Sequence, residues 1–295
     1  MKKIVGALMV GVMLLTGCQG KTKNTATLND EIPNVTGTVT LSVLDIGKAD
    51  CIFIETSKHN IMIDTGKKKD ADEILEFLSE KNIDTIDYLQ LTHYDKDHIG
   101  GLRKLLDAGI SFGTIYAYNK PVDSKDYNKM MAALEEHNKQ LTYLSEPEQL
   151  VVDDFVMDMY PPMWEEYGKK SAGEENENEY SIVTKCIHGQ QSFLLTGDAC
   201  NDRIQEVMQQ TDVRDCNFIK IPHHGKYDKD LEKMLKSCHA QYAAITCSDK
   251  HPADEKIEKI LNQQGIATYE TKNGCIEVVS DGDQLQVKQE KVKEE

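Results

Sequence analysis

The segment Thr92-His93-Tyr94-Asp95-Lys96-Asp97-His98-Ile99-Gly100-Gly101 follows directly on the apolar run Ile86 to Leu91 and is the most informative in the chain. Two imidazoles and two carboxylates fall within six residues there. These side chains hold divalent cations, and a strand that ends in a tight loop can aim several of them at one point. For a single His-x-Asp pair, a polar loop that happens to hold a histidine is the plainer reading. Two His, two Asp and a following Gly-Gly, where backbone must turn closely, favour a metal site.

Other short motifs stand before and after it in the chain. Leu44-Asp45-Ile46-Gly47-Lys48-Ala49-Asp50 precedes a strand, and Ile61-Met62-Ile63-Asp64-Thr65-Gly66 is a strand and turn. Phe193-Leu194-Leu195-Thr196-Gly197-Asp198, then Ile221-Pro222-His223-His224-Gly225, then His251-Pro252 complete the series. Together with the His93 run they resemble the metallo-β-lactamase fold hydrolases, with Asp95 standing where most members carry a second His. The His-x-Asp-x-Asp-His form is similar to that of the extracellular hydrolase domain of ComEC-type competence (DNA-uptake) proteins. The likeness runs from about Thr38 to the end of the chain.

That resemblance implies an α+β fold, the four-layer αββα sandwich, with metal ligands on loops at one edge of two sheets. Carried over by motif, His93 and Asp95 would belong to a first metal position. Asp97, His98 and Asp198 would serve a second, with Asp198 able to bridge. One of His223 and His224 would complete it; His223 is favoured as the first residue after Ile219-Lys220-Ile221-Pro222, although adjacent histidines cannot be separated by sequence. Most dinuclear members supply one more His before the Thr-Gly-Asp turn, and its place falls here near Glu177-Asn178-Glu179. His137 and His188 read as ordinary structural residues. An oxygen-rich ligand set moves preference from Zn2+ toward Mn2+, with one or two ions bound. Asp97 is expected to orient a water molecule for catalysis, and His251 to assist at the site mouth. Lys48 and Ala49 depart from the usual Gln and Gly of the first turn.

The chain has 295 residues and a formal net charge of −16. Proteins that grip long nucleic acid by phosphate neutralisation are usually basic, so this balance argues against a broad non-specific DNA groove. At the N-terminus Lys2 and Lys3 precede an apolar stretch, Ile4 to Leu15, too short to span a bilayer and shaped like a secretory signal. Leu15-Thr16-Gly17-Cys18 resembles the bacterial lipobox. Residues 1–17 are therefore expected to be a signal peptide, 18–37 a lipidated Cys18 with a flexible tether, and 38–295 one hydrolase domain at the extracellular face of the membrane. Of eight cysteines, the seven after Cys18 form no Cys-x-x-Cys pair, and buried free thiols are expected.

Alternation predicts a strand at Thr38 to Leu44 and a hairpin from Cys51 to Ile63. Helical spacing appears at Ala71 to Lys81, Leu102 to Leu106 and Ser124 to Gln140. Strands near Leu141, Phe155 to Tyr160, Ser181 to Ile187 and Ser192 to Leu195 follow, then alternating helices and strands to the end.

The leading functional expectation is a metal-dependent hydrolase of phosphodiesters, an extracellular nuclease related to DNA uptake. A hydrolase of small or wall-linked phosphoesters is the alternative, and a non-catalytic, metal-containing binding module a third. The site's open ligand design disfavours the third. A phosphodiester, DNA included, and the membrane through a lipid anchor are the expected partners; no protein partner is inferred.

Overall fold

In β1 (Val39–Val43) the residues Val39, Leu41 and Val43 share one side, because successive strand side chains point to opposite faces. β2 (Ile52–Glu55) and β3 (Asn60–Ile63) pair antiparallel as the expected hairpin and add Ile52, Ile54, Ile61 and Ile63 to that side. Phe53 and Met62 point the other way. A sheet that is apolar on both faces needs cover on both.

The computed structural model describes residues 32–120, 122–163 and 177–289, so Cys18 and the expected tether up to residue 31 lie outside the described residues, while at the tether's end the backbone N–H groups of Thr36 and Gly37 donate to the Asp154 carboxylate. β4 (Thr85–Gln90), β5 (Ser111–Tyr118) and β6 (Leu141–Leu144) extend the first sheet in parallel from β3. A second sheet holds β7 (Glu148–Val152), β8 (Phe155–Tyr160), β9 (Val183–His188), β10 (Gln191–Leu195), β11 (Phe218–Lys220), β12 (Tyr242–Ile245) and β13 (Ala267–Glu270). β14 (Ile276–Ser280) and β15 (Leu285–Gln289) return to the first sheet, whose order is β15-β14-β1-β2-β3-β4-β5-β6. Phe155, Met157, Cys186, Phe193, Leu195 and Phe218 of the second sheet meet Leu41, Ile54, Ile61 and Val278 of the first in one apolar layer.

Helices close both outer faces. Ile74 and Leu78 of α1 (Ala71–Glu80) pack on the first sheet. α2 (Lys96–Ile99), α3 (Leu102–Asp107) and α4 (Lys125–Glu136) join them there with Ile99, Leu105 and Met130. Ile204 of α5 (Asn201–Gln210), Leu235 of α6 (Lys229–Ser237) and Ile257 of α7 (Glu255–Gln263) cover Ile219 and Ala243 of the second. The result is helix, sheet, sheet, helix, the αββα sandwich.

Three departures from the pattern reading have physical causes. α4 stops at Glu136 rather than Gln140, because Asn138 takes the left-handed conformation (φ 54°) that ends helices. β7 carries no clean alternation: it is an edge strand, with Val151 48 % exposed. Residues 177–180 form a 3-10 turn, so the following strand begins at Val183 rather than Ser181. The seven cysteines after Cys18 are free thiols, all but Cys275 fully buried.

Candidate metal centre

β3 and β4 run parallel, as do β10, β11 and β12. The chain therefore leaves the two sheets in loops that converge at their carboxyl ends, where ligands of open α/β sheets bind. Asp64 follows β3, His93 to His98 follow β4, Asp198 follows β10, His223 and His224 follow β11, and Thr246 follows β12. Asp50 comes from the β1–β2 loop, whose backbone N–H donates to the Asp97 carbonyl at 3.1 Å.

The His93 run leaves β4 as the expected loop over residues 92–95 and then enters the short helix α2. Asp95 stands at its N-terminus, and Asp97 and His98 ride on α2. Thr92 donates from its N–H (2.8 Å) and its hydroxyl (2.7 Å) to the Asp64 carboxylate. The same carboxylate accepts from His98 Nδ1 at 2.7 Å. His93 Nδ1 lies 3.1 Å from the Thr92 hydroxyl oxygen. His224 Nδ1 lies 3.1 Å from the Thr246 carbonyl oxygen, and so donates to it. Each imidazole thus has its Nδ1 side engaged, the arrangement by which second partners orient metal-binding histidines.

The Nε2 atoms of His93, His98 and His224 and Oδ1 of Asp198 are all buried and make no well-formed hydrogen bond. Leaving such a group unpartnered costs about 1–3 kcal/mol each. Their convergence is a cost that a bound cation would offset. His98 Nε2 lies 3.3 Å and His224 Nε2 3.2 Å from Asp198 Oδ2. The ligand-capable atoms of His93, His98 and Asp198 lie within 4.8 Å of one another, as do those of Asp50, Asp198 and His224. An imidazole and carboxylate set of this kind suits a divalent transition cation.

Charge balance supports the same reading. Burial alone would raise the Asp198 carboxyl, but His224 and His98 outweigh it and hold it well below the ordinary carboxylate range. Burial opposes the charge of His98, yet Asp198 and Asp64 raise its pKa well above the usual imidazole value. A cation therefore competes with a proton for Nε2.

The sequence-predicted residues divide clearly. His93, His98, Asp198 and His224 come together. Asp97 stands at the rim, 17 % exposed, with Oδ2 3.8 Å from His224 Nε2 and 3.9 Å from Lys67 Nζ. Asp95 is 3.7 Å from His93 Nε2 but 47 % exposed. His224, not the favoured His223, reaches Asp198. His223 instead lies 3.2 Å from Asn178 Nδ2, and burial pushes its pKa down to about 4. Both histidines adopt left-handed backbone (φ 49° and 55°), a strained turn that swings the second ring inward. His251 is exposed on a turn closed by the Ser248–His251 bridge, outside the buried cluster. His188, read as structural, bonds Ser280 Oγ at 2.8 Å far from the centre, and His137 pairs with Asp107 on the surface.

Sequence reasoning gave no site role to Asp50, Asp64, Lys220 or Thr246. Lys220 had a usable signal: a lysine between Ile219 and Ile221 in a buried strand. Burial opposes its charge, but Asp50 and Asp198 keep its ammonium pKa above the ordinary value.

Residues 44–111 match the model of the metallo-β-lactamase superfamily. ComE operon protein 3 of Bacillus subtilis (strain 168) is 24 % identical over 259 residues, covering 80 % of this chain and 32 % of the relative. The chain thus spans about a third of the length of that curated relative. Among solved structures, the metallo-β-lactamase fold protein YhfI from Bacillus subtilis superposes with a TM-score of 0.56 at 13 % identity, over 82 % of this chain and 100 % of that one. CmlA, a diiron β-hydroxylase from Streptomyces venezuelae, superposes with a TM-score of 0.51 at 12 % identity, over 79 % and 53 %. At these identities the likeness speaks to fold alone.

Proposed function

We propose that this chain, which has the metallo-β-lactamase fold, is a metal-dependent hydrolase that cleaves phosphodiester bonds, with DNA outside the cell as its leading substrate. The observation that carries the metal-dependent part is the meeting of three buried, unpartnered imidazole Nε2 atoms around Asp198. The choice of phosphodiester rests on the His-x-Asp-x-Asp-His form of the run and on the likeness to ComE operon protein 3. The carboxylate-rich rim favours Mn2+ over Zn2+.

His93, His98, Asp198 and His224 would hold the cation, with Asp97 and Asp95 available from the rim. A cation held there supplies Lewis acidity and, by lowering the pKa of water, a nucleophile at neutral pH. Asp64 keeps His98 in the tautomer that presents Nε2, and the Thr246 carbonyl does the same for His224. Asp97, partly open to solvent, is suited to accept a hydrogen bond from the attacking water and so to aim it. Lys67 donates to the Lys48 carbonyl and stands beside Asp97, where its ammonium can meet a phosphate oxygen. His251 at most assists a leaving group.

Asp97→Ala should lower Mn2+-dependent cleavage of a bis-aryl phosphodiester by roughly 10²- to 10⁴-fold, the range of general-base contributions, with the fold kept. His251→Ala should cost less than about tenfold, since an exposed side chain adds little fixed geometry. A folded Asp97→Ala protein with undiminished turnover would end this mechanism. The formal net charge of −16 favours a second reading, hydrolysis of small or wall-linked phosphoesters. Cleavage of the small diester but never of single- or double-stranded DNA would replace the nuclease reading with that one.

The reading includes an address at the outer face of the membrane, carried by Lys2, Lys3, the apolar stretch Ile4 to Leu15 and Cys18. Cys18→Ala should move the protein from the membrane to the soluble fraction. Retention of that variant on salt-washed membranes would refute the lipid anchor.

A further inference from the structure

We propose that Lys220 is a built-in cation of this centre: its ammonium withdraws Asp50 from the side chains that a metal can recruit, and so confines binding to the side formed by His93, His98, His224 and Asp198. The inference rests on the reading that the cluster takes a divalent cation.

Ile219 and Ile221 pack among the helices on the outer face of the second sheet, so Lys220 between them points the opposite way. It is fully buried. An ammonium there is tolerated only when paired and hydrogen-bonded. Lys220 Nζ donates to the Gly197 carbonyl at 2.9 Å, forms an ion pair with Asp50 Oδ2, and lies 3.6 Å from Asp198 Oδ1.

The two carboxylates are not equivalent. Asp50 has both oxygens committed, Oδ2 to the ammonium and Oδ1 to the Thr246 hydroxyl, which donates at 2.6 Å. Asp198 keeps Oδ1 without a hydrogen bond and turns Oδ2 to two imidazoles. The spacing of Asp50, Asp198 and His224 would by itself admit a metal ion. A cation already stands on Asp50, however, and a second one sharing that oxygen would meet a like charge at close range. Lys220 is therefore a positioning residue that limits how many ions the cluster holds.

The test uses Lys220→Met, of similar length but apolar, and Lys220→Met/Asp50→Asn, which removes both charges. After chelation, Mn2+ bound per chain is counted by equilibrium dialysis with elemental analysis, and Tm is read with and without Mn2+. Lys220→Met should bind one more Mn2+ than wild type. In chelator its Tm should fall by roughly 10 °C, because a buried carboxylate has lost its counter-charge, and Mn2+ should restore more of it than it adds to wild type. The double variant should lose the extra ion and recover most of the Tm. Wild-type stoichiometry in Lys220→Met, or an extra ion persisting in the double variant, would overturn the proposal. If Lys220→Met does not fold, the double variant decides. Folded with wild-type stoichiometry it supports the proposal, and unfolded it overturns it. Wild type that takes up neither Mn2+ nor Zn2+ would overturn the metal-centre reading itself, and this inference with it.

Discussion

Asp198→Asn should abolish stoichiometric Mn2+ or Zn2+ binding and lower phosphodiester turnover by at least about 10³-fold, the rate equivalent of several kcal/mol of lost charge stabilisation. The Asp198 carboxylate lies 3.3 and 3.2 Å from the Nε2 atoms of His98 and His224 and 3.6 Å from the Lys220 ammonium. Asn keeps the shape but brings an amide N–H2 and no negative charge to a place where two imidazoles converge. The Ser181 hydroxyl still receives the backbone N–H of residue 198 at 3.1 Å, so the turn should hold its form. Elemental analysis after dialysis reads the first effect and initial rates read the second. A folded variant that keeps one tightly held ion per chain would remove Asp198 from the ligand set.

The second large effect is on folding. Gly101 has ordinary helical backbone (φ −80°), so its lack of a side chain serves close approach and not an unusual turn. A Cβ there would sit 2.0 Å from the Thr65 carbonyl oxygen, a backbone atom that cannot swing aside. That contact fixes α3 against the loop in which Thr65 N–H donates to the His98 carbonyl and Gly101 N–H to the Gly66 carbonyl. Gly101→Ala should therefore destabilise by about 3 kcal/mol or more, at the upper end of overpacking costs, and should loosen His98 with it. Gly37→Ala is the control: its Cβ would meet only Ser57 Cβ at 3.8 Å, and a change within about 1 kcal/mol is expected. Urea titration of the two variants makes the comparison. Equal midpoints would refute the close-approach argument.

Much of this molecule is legible in its residues. The alternation of Val39, Leu41 and Val43, the helical spacing of Ile74 and Leu78, and the crowding of His93, Asp97 and His98 depend only on neighbours in the chain. Their periods and types carry the information without a fold. The resemblance of ordered motifs added the sandwich and linked Asp198 to the His93 run across about a hundred residues.

What lay beyond the chain's local order was decided by packing. Whether His223 or His224 turns inward depends on two successive left-handed residues after Pro222, a strain that only the surrounding turn enforces. That the turn at Gly100-Gly101 brings Gly101 directly against the Thr65 carbonyl depends on a loop more than thirty residues away. Asp50, Lys220 and Thr246 became one network because a loop of the first sheet meets strand ends of the second. The order and types of the residues limit which side chains could hold a cation. Which of them share a buried volume follows from packing, because the cost of burying an unpaired charge or lone pair is set by partners that chain order does not bring together.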